Sequence, residues 1–144
     1  MKCYTYIDKN HDEEVLIYAK ERNKIVEEIE ALVISNDNLL TGTFNEEIVK
    51  INPIDVTCFI SENNKVFAMV KDKKYQVKQK LYQLEEMELS KYFVKLNQSC
   101  LANIKRIKKF ESTIGASLKV IFDNDYFDYI SRRELKNVKM RMGI

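Results

Sequence analysis

Along most of the chain apolar and polar residues alternate in short runs, the period of a strand with one face buried, whereas 21–35 and 131–142 repeat their apolar positions at helical spacing. The first two runs, KCYTYI (2–7) and EEVLIYA (13–19), predict a hairpin that turns through the polar residues between them. In 21–35, Ile25, Val26, Ile29, Leu32 and Val33 share one side opposite Glu and Lys, which predicts an amphipathic helix that ends at the NDN of 36–38. Strands follow at EEIVKIN (46–52), IDVTCFI (54–60), KVFAMV (65–70) and YQV (75–77), with SENN (61–64) and KDKK (71–74) as polar turns. Leu81, Leu84 and Met87 mark a short helix in 78–88. YFVKL (92–96), LANIKRIKKFES (101–112), SLKVIFD (117–123) and YFDYI (126–130) return to strand, with STIGA (112–116) and DND (123–125) as connections. In the last helix, SRRELKNVKMRM, Ser131 and Glu134 have capping-box spacing, and Leu135, Val138 and Met142 share a face. The chain therefore reads as mainly β with short helices (α+β). Phe59, Phe67, Phe93, Phe122 and Phe127 fall in strand patterns and are assigned to the core.

Composition narrows the function classes. The chain has 144 residues, 45% of them hydrophobic, enough for one domain with a real core. No apolar run is long enough to span a membrane, and the start lacks the apolar stretch of a secretory signal, so the expected compartment is the cytosol. Cys3, Cys58 and Cys100 form no CxxC pair, which argues for idle thiols rather than a disulfide framework or zinc site. His11 lies in a very polar segment and reads as a solvated turn residue. The three glycines are too far apart to build a phosphate-cradling loop, and no carboxylates are spaced as a general acid and base, so neither an enzyme nor a cofactor is expected. The net charge of +2 hides an asymmetry: residues 1–50 hold six Lys+Arg against eleven Asp+Glu, while 51–144 hold eighteen against eleven. The second part carries a basic footprint suited to phosphate.

From about residue 49 to 144 the order of elements resembles the LytTR DNA-binding domain of bacterial transcription regulators. The resemblance is carried by 51–86, by YFVKLNQSCLANIKRIKKFE (92–111) and by LKVIFDNDYFDYISRRELKNVK (118–139). Phe93, Ser99, Asn103, Ile104 and Ile107 occupy the places of the family's central motif, and Ser131, Arg132 and Arg133 those of its terminal serine and basic pair. The fold this implies is an elongated stack of small antiparallel β-sheets with short flanking helices. It would be preceded here by an N-terminal strand-hairpin and amphipathic helix, dividing the chain into 1–40 and 41–144. The resemblance also implies that loops, not a recognition helix, enter successive major grooves.

The site residues follow from that resemblance. Gln98 falls where the family supplies a base contact, and a glutamine amide can bond adenine N6 and N7 together; the alternative is a turn glutamine bonded to nearby backbone. Arg133 matches a second reading residue whose guanidinium suits guanine O6 and N7, against the alternative of a solvated helix charge. Asn64, at the tip of the first hairpin, and Asn97 complete the base-contact set, although SENNK is equally an ordinary turn. Many relatives carry histidine and arginine where this chain has Asn97 and Gln98, which bears on which base is preferred. Ser99 and Ser131 are expected near the DNA backbone, with capping alone as the other task for Ser131. Lys65, Lys105, Arg132 and Lys136 are assigned to phosphates, and the run Lys105, Arg106, Lys108, Lys109 is the densest basic cluster.

The expected function is a sequence-specific double-stranded DNA-binding transcription regulator. A second protomer on paired repeats and a protein partner for the N-terminal extension are the other expected partners. The other class considered is a protein interaction module that regulates by binding another transcription regulator; a single-strand binder stacking bases on its aromatics is a third.

Overall fold

The computed structural model of the chain describes residues 1–37, 39–87, 91–115 and 117–144, with the backbone alone at 34–37. Asn38 of the predicted helix stop, Glu88 of the short helix and Ala116 of the STIGA connection lie outside the described residues. Helix α1 (Lys24–Asp37) precedes β1 (Leu40–Phe44), β2 (Glu47–Ile51), β3 (Cys58–Glu62), β4 (Lys65–Val70) and β5 (Lys73–Val77). Helix α2 (Leu81–Glu86), β6 (Phe93–Asn97), β7 (Cys100–Asn103), β8 (Ile107–Ser112), β9 (Leu118–Phe122), β10 (Phe127–Tyr129) and α3 (Arg132–Met142) complete the order. Among the described residues the strands form a seven-stranded sheet, β2-β1-β5-β4-β3-β7-β6, and a three-stranded sheet, β10-β9-β8, with the antiparallel pairing expected. No described helix is long and apolar enough to cross a membrane.

The alternation in the central strands separates two cores. Phe59 of β3, Leu101 of β7 and Phe93 of β6 share one face with Val66 and Ala68 of β4 and Val77 of β5, and Leu84 of α2 packs against them. Their neighbours Cys58, Ile60, Cys100, Ala102, Val94 and Leu96 point to the other face, against Val120, Phe122, Ile130 and Val138 of the small sheet and α3. Burial on both faces explains why these strands carry few charged residues. Phe127, assigned to the core from its pattern, is instead half exposed, because β10 is an edge strand whose Phe127 and Tyr129 face outward under Lys119.

The turns use asparagine and charged residues where glycine is more usual. Asn45 and Glu46, and Asn63 and Asn64, all have φ between 47° and 67°, so the β1–β2 and β3–β4 hairpins close through two left-handed residues each. Gly42 has a different task. A β-carbon there would lie 2.8 Å from that of Tyr75 and also against the Ile51 side chain, so glycine lets β1 approach its neighbours.

Three expectations need correction. Residues 2–7 and 13–19 form no strands: a turn closes from the His11 N–H to the Asp8 carbonyl at 3.4 Å, but Tyr4, Tyr6, Leu16 and Tyr18 remain exposed. A two-stranded hairpin with no third strand or helix against its apolar face is marginal in water. The strand predicted over 54–60 begins only at Cys58, because Asn52 accepts from the Ile54 N–H at 3.2 Å and Pro53 starts a 3-10 turn, Pro53–Asp55. The strand predicted over 101–112 is broken by the 3-10 turn Ile104–Arg106 into β7 and β8, which belong to different sheets.

Asn103 causes that break. Its side chain is fully buried, its Oδ1 accepts from the Lys105 N–H at 3.0 Å, and its Nδ2 donates to the carbonyls of Val56 (2.9 Å) and Ile54 (3.3 Å). One carboxamide thus winds the chain out of the main sheet and ties that exit to the Pro53–Asp55 turn. Asn103→Ala would strand the Val56 carbonyl and the Lys105 amide, while the Ile54 carbonyl keeps the Arg106 guanidinium; the expected loss is about 2–4 kcal/mol, read as a lower urea midpoint at unchanged slope. Gly42→Ala should also lower the midpoint, by about 1–3 kcal/mol, since the new methyl meets the Tyr75 β-carbon rather than a movable chain end.

Candidate nucleic-acid interface

The β6–β7 turn is shaped by the side chain that opens it. Asn97 Oδ1 accepts from the Ser99 N–H at 2.8 Å, closing an Asx turn, and Asn97 Nδ2 donates to the Tyr129 carbonyl at 2.9 Å. The turn presents Gln98 and Ser99, both exposed. Gln98 makes no side-chain hydrogen bond to any described residue, so the backbone-bonded turn glutamine is not what forms. A bulge between Lys95 and Asn97 frees the Leu96 carbonyl, which accepts from the Ser131 N–H at 2.8 Å.

That bond also decides how α3 begins. A capping box needs the N-cap N–H for the glutamate three residues on, but the Ser131 N–H is already given to Leu96. The expected box accordingly does not form. The helix starts on the Glu134 and Leu135 N–H groups donating to the Ser131 carbonyl at 3.1 Å, and the Ser131 hydroxyl caps nothing. Leu135, Val138 and Met142 pack inward, as the pattern predicts, which turns Arg132, Lys136 and Lys139 outward as one stripe with Arg133 beside it. None of these four cations has an acidic partner among the described residues. The far end of α3 is fixed by Arg141, which donates to the Phe93 and Lys91 carbonyls at 3.2 Å, and by Gly143 at φ 72°.

Strand register brings the first hairpin to the same end. Ile60 lies opposite Cys100, and the Ser61 N–H donates to the Ser99 carbonyl at 2.9 Å, so Asn63 and Asn64 project beside the Gln98 turn. Asn64 is exposed and Lys80 Nζ donates to its carbonyl at 3.3 Å, while Lys65 is exposed without an acidic partner among the described residues. Asn64, Asn97, Gln98, Ser99, Ser131, Arg132 and Arg133 therefore meet at one end of the main sheet. Lys80 and the Tyr129 carbonyl belong there too. Nothing local marks either one: Lys80 follows a strand in an ordinary polar stretch, and the Tyr129 contribution is backbone.

Lys105 lies elsewhere. It follows β7 at the end away from Ser99, about 13 Å along the strand at ~3.3 Å per residue. There its ammonium sits 4.0 Å from Glu27 of α1 and 4.9 Å from the Tyr92 ring centre. The rest of the basic run is similarly occupied. Arg106 pairs with Asp55 (3.5 Å) and Asp123 (3.4 Å), Lys108 with Asp125 (3.4 Å) and Lys109 with Glu111 (3.0 Å). Lys109 holds the Glu111 carboxyl below the usual carboxylate range by hydrogen bonding to its charged form. A linear count of cations thus overstates this segment and understates α3. Cys58 and Cys100 are buried free thiols, and the Cys100 S–H shared with the Cys58 sulfur, together with burial, raises the Cys100 pKa well above its ordinary value, which keeps it an unreactive thiol. No described group of His, Cys, Asp or Glu is arranged to hold a metal ion.

The comparisons bear on what this end of the molecule is. A family model described as the LytTr DNA-binding domain matches residues 46–143. Over 147 aligned residues the chain is 30% identical to a protein of Staphylococcus aureus (strain NCTC 8325 / PS 47) named as an uncharacterized HTH-type transcriptional regulator, covering 100% of this chain and 99% of that one. A counterpart in the bovine strain RF122 / ET3-1 is 29% identical over the same span. In this chain α1, α2 and α3 are each separated by strands, so the helix-turn-helix in those names has no counterpart among the described residues. The solved LytTr DNA-binding domain of a methyl-accepting/DNA response regulator from Bacillus cereus superposes with a TM-score of 0.69 at 14% identity, over 74% of this chain and 97% of that domain. A match through β2 to α3, with the same fold in a solved LytTr domain, shows that this chain belongs to the LytTr DNA-binding domain family.

Proposed function

We propose that the chain is a sequence-specific, double-stranded DNA-binding transcription regulator that reads major grooves with the β3–β4 and β6–β7 turns and the start of α3. The observation that carries this reading is the separation of its cations. Those of the 105–109 run are matched by carboxylates within 4.0 Å, whereas Arg132 and Arg133 stand exposed at the start of α3 beside the Gln98 turn and Lys136 and Lys139 follow along the helix, all four without an acidic partner among the described residues. Unpaired cations next to unpaired amides suit a ligand that offers phosphates and base edges together.

Within this reading Gln98, Arg133 and Asn64 choose bases. Ser99, Ser131, Lys65, Arg132 and Lys136 hold phosphates, aided by the free Ser131 hydroxyl and the exposed amides of the first turn of α3. Lys105 leaves the set, since Glu27 and Tyr92 occupy it. Binding paired repeats would place two protomers on one site.

A protein interaction module is the second reading. It is favoured by the exposed Tyr4, Tyr6, Ile7, Leu16 and Tyr18 ahead of α1, apolar surface of the kind a partner covers. A fluorescence titration with duplexes selected from a random pool, at two salt concentrations, separates the two: selective, salt-sensitive binding supports DNA recognition, and no binding at low salt supports the module.

Two substitutions test the assignment of residues. Arg133→Ala should cost about 1–3 kcal/mol on the selected duplex and relax preference at one base step; unchanged affinity and selectivity would remove Arg133 from the reading set. Lys136→Ala should weaken all duplexes alike and reduce the salt slope by about one, whereas Lys105→Ala should leave the slope as it was. A slope that responds to Lys105 and not to Lys136 reverses the orientation proposed.

A further inference from the structure

We propose that Asn97 is a positioning residue that couples the Gln98–Ser99 turn to the start of α3, so that the two reading elements act as one rigid unit. The inference rests on the DNA-binding reading for its consequence, though not for the coupling itself. The family resemblance places Asn97 among the base contacts, but its amide already works on both sides of the seam. Oδ1 holds the Ser99 N–H at 2.8 Å, Nδ2 holds the Tyr129 carbonyl at 2.9 Å, and one residue earlier the Leu96 carbonyl holds the Ser131 N–H at 2.8 Å. Tyr129 and Ser131 flank Ile130, which is buried against Leu96 and Val138. The Asn97 side chain thus bonds both the turn that carries Gln98 and the segment that launches Arg133.

The chemistry calls for a carboxamide. One bond needs an acceptor and the other a donor, at the two ends of a short planar group. Aspartate would keep the acceptor and set a negative charge against the Tyr129 carbonyl; alanine would leave both partners to solvent. Without the tie the backbone bond at Leu96 remains, but the turn can swing about it. Binding must then order Gln98 and Arg133 separately, a cost that a preformed unit avoids.

The test has two arms on the full-length protein. In the free protein, hydrogen–deuterium exchange of Asn97→Ala should quicken by about fivefold or more at the Ser99 amide, the loss of one hydrogen bond, and should also quicken at Ser131 and Arg132. Core amides such as Phe59 and Leu101 should exchange as in the parent. Exchange at Ser131 that matches the parent overturns the coupling, whatever the protein binds. Asn97→Asp serves as a second variant should alanine compromise folding; it should keep Ser99 protected while Ser131 quickens.

On duplexes selected with the parent, the penalty of Arg133→Ala should shrink by about fivefold or more when Asn97→Ala is already present, because residues that act as a unit are not additive. Penalties that multiply, or a new base preference at one step with the Arg133 penalty intact, overturn the proposal in favour of independent action or direct base contact. A parent that prefers no duplex defeats the DNA-binding reading, while the exchange arm still decides whether Asn97 couples the two elements.

Discussion

Asn103 holds the point on which the two halves of the structure depend. The chain leaves the main sheet at the end of β7, and the same carboxamide that accepts the Lys105 N–H donates to carbonyls of the segment before β3. A buried amide with its oxygen and nitrogen both bonded is stable only in one backbone arrangement, so the exit has one direction. That direction folds β8, β9 and β10 back over the face that carries Cys58, Ile60, Val94 and Leu96, and the second core forms there. Had the alternating run continued as a single strand, those residues would have no cover.

Asparagine recurs wherever the two sheets are joined. Asn124, in the β9–β10 turn, donates to the Lys71 carbonyl at 2.7 Å and accepts from the Tyr126 N–H at 3.1 Å, which ties the small sheet to the β4–β5 turn. Asn97 makes the equivalent pair of bonds at the other end, between the β6–β7 turn and the close of β10. In each case a short amide supplies a local turn through its oxygen and a long-range tie through its nitrogen. Rigid placement of exposed loops on a β scaffold follows from such ties rather than from the loops' own contacts.

The charge distribution follows from the same architecture. Strand direction sends the run 105–109 to the end where Asp55, Asp123 and Asp125 already lie, and α1 adds Glu27 above Lys105. Exposed pairs of this kind add little stability, yet each lowers the positive potential at that end. The helical period of α3 turns its cations away from the core, Arg132 and Arg133 beside the Gln98 turn and Lys136 and Lys139 further along the helix, none with an acidic partner among the described residues. The basic remainder of the chain is thus divided, in three dimensions, between cations of the 105–109 run that carboxylates match and cations of α3 that have no acidic partner among the described residues.

What the sequence determined by itself was whatever depends on near neighbours. Alternation placed β3 to β6 and β9, helical spacing placed α1 and α3 with Leu135, Val138 and Met142 inward, and the polar SENN and NQS stretches marked the exposed turns. The family was legible because its motif residues lie in ordered blocks along the chain. Strand β1 has no mark in the sequence, because LTGTF becomes a strand only when Ile51 and Tyr75 close around Gly42, and the N-terminal hairpin was overread because its alternation has no surface to pack on. Which cations remain unpaired, why Ser131 caps nothing and why Asn97 bonds Tyr129 were decided only by tertiary structure. Apart from the local Lys109–Glu111 pair, these depend on partners more than ten residues away, set by register and sheet packing rather than by local preference.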